Sequence, residues 1–484
     1  MFPRIGLPVG MALGLSLLAG VAQGDPVETV MAELAVMQQA LADEVTRLDT
    51  PRQLPVRGDI RPHAVSASPQ PATLDVMDLR IALVRLARVV GANDQLSVLL
   101  AQPQDRVQVL AVRGGRVDLD TLLARAQALG HLGPDGLGLP VVVEPDAQLV
   151  IGGGTLPLDR AQGAFVVNFG QLEVIGGTIA GQGRAPARVP QFRPFVVTAG
   201  TGTMVLRGAK LRALGFGRSP AFAGVSVIEG GLYRPDAPVV IDGALFSDVQ
   251  SLSLVRAHSP LVADVVFAGA AGNALELVGT TGAHVSGARF LRIGGDAIRI
   301  EKGAQATWLR DIEIYQTGGS GIRLRQASHG TRIEDTLIWQ PAKEALAADR
   351  SDCLQVSGLR AVGAGQKGVS LRRTRASALR DSAILASGSA GIMVADQPVG
   401  TVLALSGNRI AGNKVGLTTA APAELHLAQN DFSQQFPRFL QGDVQGDTGR
   451  LIADLTGTKP LVMLAGGARD TYLPALSCPT QTGG

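Results

Sequence analysis

Aromatic residues are scarce: two Trp, three Tyr and 13 Phe make up 4% of 484 residues. Large rings fill the cores of most globular domains, so this interior must be built from Val, Ile, Leu and Ala. Cysteine and histidine are few, two and six, and none stands at metal-module spacing. No metal and no cofactor are expected. A charge surplus is missing too. The formal balance is +3, whereas nucleic-acid binders carry a concentrated basic excess. Beyond the N-terminus there is no apolar run long enough to span a bilayer, so the chain is not expected to be integral to a membrane.

The N-terminus begins MFPRIGLPVGMALGLSLLAGVAQGDP. Arg4 forms a short basic region, an apolar stretch runs from about Gly10 to Val21, and Ala22-Gln23-Gly24 offers small residues for cleavage before Asp25. Residues 1–24 are therefore expected to be a signal peptide and the mature chain periplasmic; an uncleaved anchor is the alternative. Residues 25–50 are expected to form a helix, with Val30, Leu34, Met37, Leu41, Val45 and Leu48 on one seam. A Pro-rich linker follows at 51–75. Residues 76–140 are expected to be a helical or mixed cap, with helices near 78–90 and 118–129.

What is abundant is glycine, 61 residues, arranged in a repeat. A small residue followed by an apolar–x–apolar triplet recurs through the second half of the chain. From Leu252 the first apolar positions are Leu275, Ile298, Ile322, Leu346, Val369, Ile392 and Leu417. A second element of the form apolar–x–(Asp/Gly)–x–x–apolar keeps step, as at Val285–Phe290 and Leu309–Ile314. No such turn can bury its apolar side without neighbours above and below. The fold expected is all-β, a right-handed parallel β-helix of about ten rungs of roughly 23 residues over 141–440, with a C-terminal tail at 441–484. Cys353 and Cys478 are the candidate disulfide, in an oxidising compartment; two independent thiols are the alternative.

Several blocks carry a closer likeness. Gly163-Ala164-Phe165-Val166-Val167-Asn168, Phe192-Arg193-Pro194-Phe195, Lys210-Leu211-Arg212-Ala213-Leu214-Gly215-Phe216, Gly224-Val225-Ser226-Val227 and Arg234-Pro235 follow one another in order. Together they resemble the periplasmic mannuronan (alginate) C5-epimerases. The resemblance implies a secreted β-helix acting on an acidic exopolysaccharide, a polyuronate, among the proteins of a biosynthesis and export complex.

C5 epimerisation needs a cation to neutralise the carboxylate, a base on one face of the sugar and a proton donor on the other. In that family an Asp-Pro-His-Asp rung supplies the acids and the imidazole, and the next rung an arginine. Carried onto GNALELVG (Gly272–Gly279), the four positions fall on Glu276, Leu277, Val278 and Gly279, and the arginine on Lys302. Period-2 alternation turns Glu276 and Val278 outward, so an exposed valine is expected where the family has its histidine. Glu276 and Lys302 are the remaining catalytic candidates. His258, His284, His329 and His426 read as scaffold residues.

Other chemistries on such a coil find less. A hydrolase needs two carboxyls facing one bond, and Gly294-Gly295-Asp296-Ala297 offers one. A lyase needs a carboxylate cluster for calcium, but Asp296, Glu301, Asp311, Glu313, Glu334 and Asp335 are scattered between inner and outer columns, and Asp264, Asp311, Asp335 and Asp381 read as corner residues. A track of outward cations, Arg299, Arg323, Arg325 and Arg372, is the candidate substrate-binding face; a solvated mixed-sign ladder is its alternative. Two functions remain open, a divergent epimerase and a non-catalytic polysaccharide-binding or assembly subunit.

Overall fold

The computed structural model describes residues 70–463 apart from 92–94, 104–106, 218, 231–234, 236 and 422–423. The expected signal peptide, the 25–50 helix, most of the linker, Arg234 and the tail beyond Met463 lie outside the described residues. The described chain divides into two compact units at Arg332/Ile333. Each is a stretch of right-handed parallel β-helix built from three sheets.

In the first unit the coil's first sheet runs in register from strand to strand. Val225 pairs with Leu252, Leu252 with Leu275, Leu275 with Ile298 and Ile298 with Ile322. These inward residues are fully buried, and each rung's apolar row closes the one before it. The coil begins within the segment expected as cap: Gln108–Arg113 and Arg116–Asp118 already pair in parallel with Val141–Val143 and Gln148–Gly152. The second repeat element resolves into two strands, not one. Trp308–Arg310 and Glu313–Thr317, for example, flank Asp311, whose φ of 53° is left-handed. Asp264, Asp335 and Asp381 hold the same corner, because Asp is among the few side chains that tolerate this conformation.

Three helices accompany this coil: α1 (Leu79–Val90), α2 (Leu96–Ala101) and α3 (Leu119–Ala128). Asp78 caps α1, its carboxylate accepting the Arg80 backbone N–H at 2.8 Å, and Gly91 ends the helix at φ 68°. Asp118 caps α3 through Thr121. The Thr121 hydroxyl, and after it the Thr121 backbone N–H, hold the Asp118 carboxyl below the usual carboxylate range. Among the described residues no helix is long and apolar enough to cross a membrane.

In the second unit Leu346, Val369, Ile392 and Leu417 pair in register as an inward row of their own. Buried amides take over its corners. Asn408 bonds Asn430 and Asn413 bonds Gln435, each donating to the partner's side-chain oxygen. An antiparallel strand, Leu461–Met463, pairs with Glu424–Ala428. Cys353 is not a free thiol; Cys478 lies outside the described residues.

Candidate functional site

The outer face of the first sheet changes character along the coil. One outward column reads Val142, Val167, Val197, Ser226, Ser253, Glu276, Arg299 and Arg323, each in register with the next. The column two residues further along the strand reads Ala199, Ile228, Val255, Val278 and Glu301. The apolar part is roofed. Leu79, Ala82, Leu83 and Leu86 of α1 and Val98 and Ala101 of α2 share one cluster with Val167, Val197, Ile228, Val255 and Val278.

Phe165, Phe192, Phe195, Phe216 and Phe222 complete that roof, their rings 4.5–6.4 Å apart between centroids. The Phe192–Phe195 block, which reads in the sequence as a loop free of packing constraint, is therefore core. Arg256 fastens the C-terminal end of α1, donating from Nη2 to the Val89 carbonyl at 3.2 Å and from Nε to the Glu229 carbonyl at 2.7 Å.

This roof overturns one expectation. Val278 is not exposed on a groove wall; it is 9% exposed and belongs to the apolar cluster. Alternation sets which way a side chain points, and here a helix-borne cluster covers the outward side. Glu276, in the other column, stays half-buried and polar. Its carboxylate accepts from Asn273 Nδ2 at 2.6 Å and lies 3.5 Å from the Ser253 hydroxyl. Lys302 sits at the left-handed corner after its strand, φ 57°. Its ammonium is exposed, 4.0 Å from Glu301 Oε1.

The polar window is organised by Asp296, which the sequence offers as a hydrolase-type acid and as one of the scattered carboxylates. Asp296 is 2% exposed. Its Oδ2 accepts from Arg299 Nε at 3.0 Å and Nη2 at 2.8 Å, and stands 3.4 Å from Arg323 Nε. Its Oδ1 accepts the Ser320 backbone N–H at 2.8 Å, and the Ser320 hydroxyl accepts from Arg323 Nη2 at 2.7 Å. Asn273 Oδ1 in turn accepts the Asp296 backbone N–H at 2.9 Å. Each outward residue thus reaches the corner residue three positions earlier, and Asn273 and Asp296 each tie to the next rung. A polar residue at that offset in three successive turns is the signal the sequence carried.

The structure brings Arg299 and Arg323 together on one carboxylate. Arg325 is half-buried two residues beyond Arg323. Arg372, in the second unit, is engaged by Asp396 at 2.6 Å, both side chains about half exposed. Of the histidines, His284 stacks on Trp308 at 4.5 Å, and His426 is buried with Nε2 2.8 Å from Glu424. Asp296, occupied by two guanidiniums, offers no acid pair for glycoside hydrolysis. Among the described residues no group of three or more His, Cys, Asp or Glu is placed to hold a metal ion.

A separate recess of about 270 Å³ lies among Gln102, His131, Asp159 and Gln162. Burial pushes the Asp159 carboxyl above its usual range, against the pull of the Ala161 and Gln162 backbone N–H groups.

Comparison with known proteins gives two kinds of likeness. The family described as "Periplasmic copper-binding protein (NosD)" matches residues 259–438. No curated protein matches the sequence. Among solved structures, a double mutant of the periplasmic alginate epimerase AlgG superposes with a TM-score of 0.63 at 16% identity, over 78% of this chain and 95% of that one. AlgG without those changes gives 0.60 at 15% identity, over 79% and 94%. In fold, this chain resembles the periplasmic alginate epimerase over nearly the whole of that protein.

Proposed function

We propose that this is a periplasmic polysaccharide-binding subunit with an epimerase-like coil, which holds an acidic polysaccharide of the polyuronate class during its biosynthesis and export and does not epimerise it. The observation that carries this reading is the Arg299–Arg323 pair. The two arginines stand in register on neighbouring strands, which lie about 4.8 Å apart in a parallel sheet, and their side chains keep 27% and 24% of their surface exposed. Successive carboxylates of a chain lying along the coil meet successive cations at that spacing. Arg325 and Lys302 add positive charge beside them, while Glu276 and the apolar roof bound the track at its other end. The fold likeness to an alginate epimerase supports the ligand class and the periplasmic setting.

The catalytic half of the family's chemistry finds no support in this face. The position corresponding to the imidazole is Val278, which cannot exchange a proton and lies under the apolar cluster. Glu276 keeps a carboxylate, and Lys302 keeps a cation without the forked geometry of arginine.

Titration calorimetry with mannuronate oligomers and with a neutral glucan tests the binding claim. Exposed ion pairs contribute about 0.5–1 kcal/mol each, so several rungs must act together. Binding should then weaken steeply as salt rises. The neutral glucan should not bind. Equal affinity for both polymers, or affinity indifferent to salt, removes the reading.

A further inference from the structure

Resting on that reading, we infer that Asp296 is the positioning residue of the polyuronate track: a buried anion that fixes two guanidiniums so that they act as one carboxylate-binding surface. Its charge, as distinct from its hydrogen bond to the next rung, has no use in the coil's own ladder. The corner residue of the preceding rung, Asn273, accepts the next rung's backbone N–H without a charge, as Asp296 does from Ser320. An uncharged residue would serve Asp296's ladder role equally well. What a carboxylate adds is the hold on arginine. Arg299 spends its Nε and Nη2 edge on Oδ2, which leaves its Nη1 outside this network. Arg323 is brought to the same oxygen through Nε and is steadied by the Ser320 hydroxyl.

An arginine otherwise loses rotamer freedom when a ligand orders it. Two arginines already ordered on one anchor lose less, and this is how preorganisation strengthens binding. An anion placed under a site for anions is unfavourable by Coulomb's law alone. Positioning and charge therefore predict opposite signs when Asp296 is neutralised.

The experiment compares mannuronate-oligomer binding by the full chain, wild type against Asp296→Asn and Glu301→Gln. Both variants remove one negative charge from the same region. Glu301 lies in the adjacent outward column beside Lys302 and holds neither arginine. Asp296→Asn should weaken binding by about tenfold, as expected for a lost charge-assisted pair, while Glu301→Gln tightens it.

Ser320→Ala, which removes only the hydroxyl under Arg323, should weaken binding a few-fold. It keeps the test open if Asp296→Asn does not fold. Asp296→Asn binding as well as or better than wild type, or Ser320→Ala leaving affinity unchanged, overturns the positioning role while the polyuronate reading stands. A wild-type chain that does not bind the oligomer overturns that reading and the inference with it.

Discussion

Reversing both anchored arginines, Arg299→Glu with Arg323→Glu, will destabilise the first unit by about 3–5 kcal/mol, the scale of a buried ion pair broken on one side. Asp296 has almost no contact with water, so its charge depends on those guanidiniums. Placing two carboxylates against it leaves a buried anion with repulsion where it had pairing. Adding Asp296→Asn to the double variant should recover most of the loss, since the uncompensated charge then disappears.

Arg372→Glu gives the contrast. Its partner Asp396 and Arg372 itself are each about half exposed, and water screens such a pair, so the change should be about 1 kcal/mol or less. Denaturant unfolding of the three variants beside the wild type reads all of this. A double reversal that unfolds with the wild type would mean that Asp296 is not a buried, arginine-dependent charge. It also follows that the double reversal is a poor probe of binding, because it alters the fold of the site and its charge together.

Phe195→Ala should cost about 3–5 kcal/mol, the usual range for deleting a buried phenylalanine. Phe195 is fully buried and lies among four other rings, 4.5 Å from Phe165, 5.0 Å from Phe222, 6.1 Å from Phe216 and 6.4 Å from Phe192. The lost ring sits in the roof, so the damage should be local to it. Hydrogen exchange in α1 should accelerate strongly, because its buried face shares that cluster.

Phe267→Ala is the control. Phe267 stacks between Phe246 and Phe290 inside the coil, at 4.6 and 5.0 Å. It should cost a similar amount yet leave α1 protected. Equal acceleration of α1 in both variants would show that the roof and the coil open as one unit.

The coil was legible because its physics repeats. Leu252, Leu275, Ile298 and Ile322 recur at nearly constant spacing, and the structure pairs them directly. The roof has no such period. Its phenylalanines come from four separate non-repeating segments, and nothing in any one of them announces the others. For the same reason Val278 could be assigned an outward direction but not a cover. Alternation fixes the face of a strand, and only the tertiary fold says what lies against it.

Glu276, Arg299 and Arg323 were placed on one column by the repeat alone. Asp296, which joins the two arginines, is not singled out by the sequence, because a lone Asp near a corner resembles the αL corner residues Asp264, Asp311 and Asp335. The difference is an offset of three to an arginine on the same rung and, one rung on, a second arginine within reach.

The most direct measurement is proton NMR of a mannuronate oligomer during prolonged incubation with the full chain. The account predicts broadening of the oligomer's signals, lost as salt is added, with no guluronate anomeric signals at any time. Guluronate signals would contradict it by showing turnover on a face where the residue proposed to stand at the imidazole position, Val278, is a buried valine. Signals that stay sharp at low salt would contradict it by showing that the arginine track does not hold the polymer.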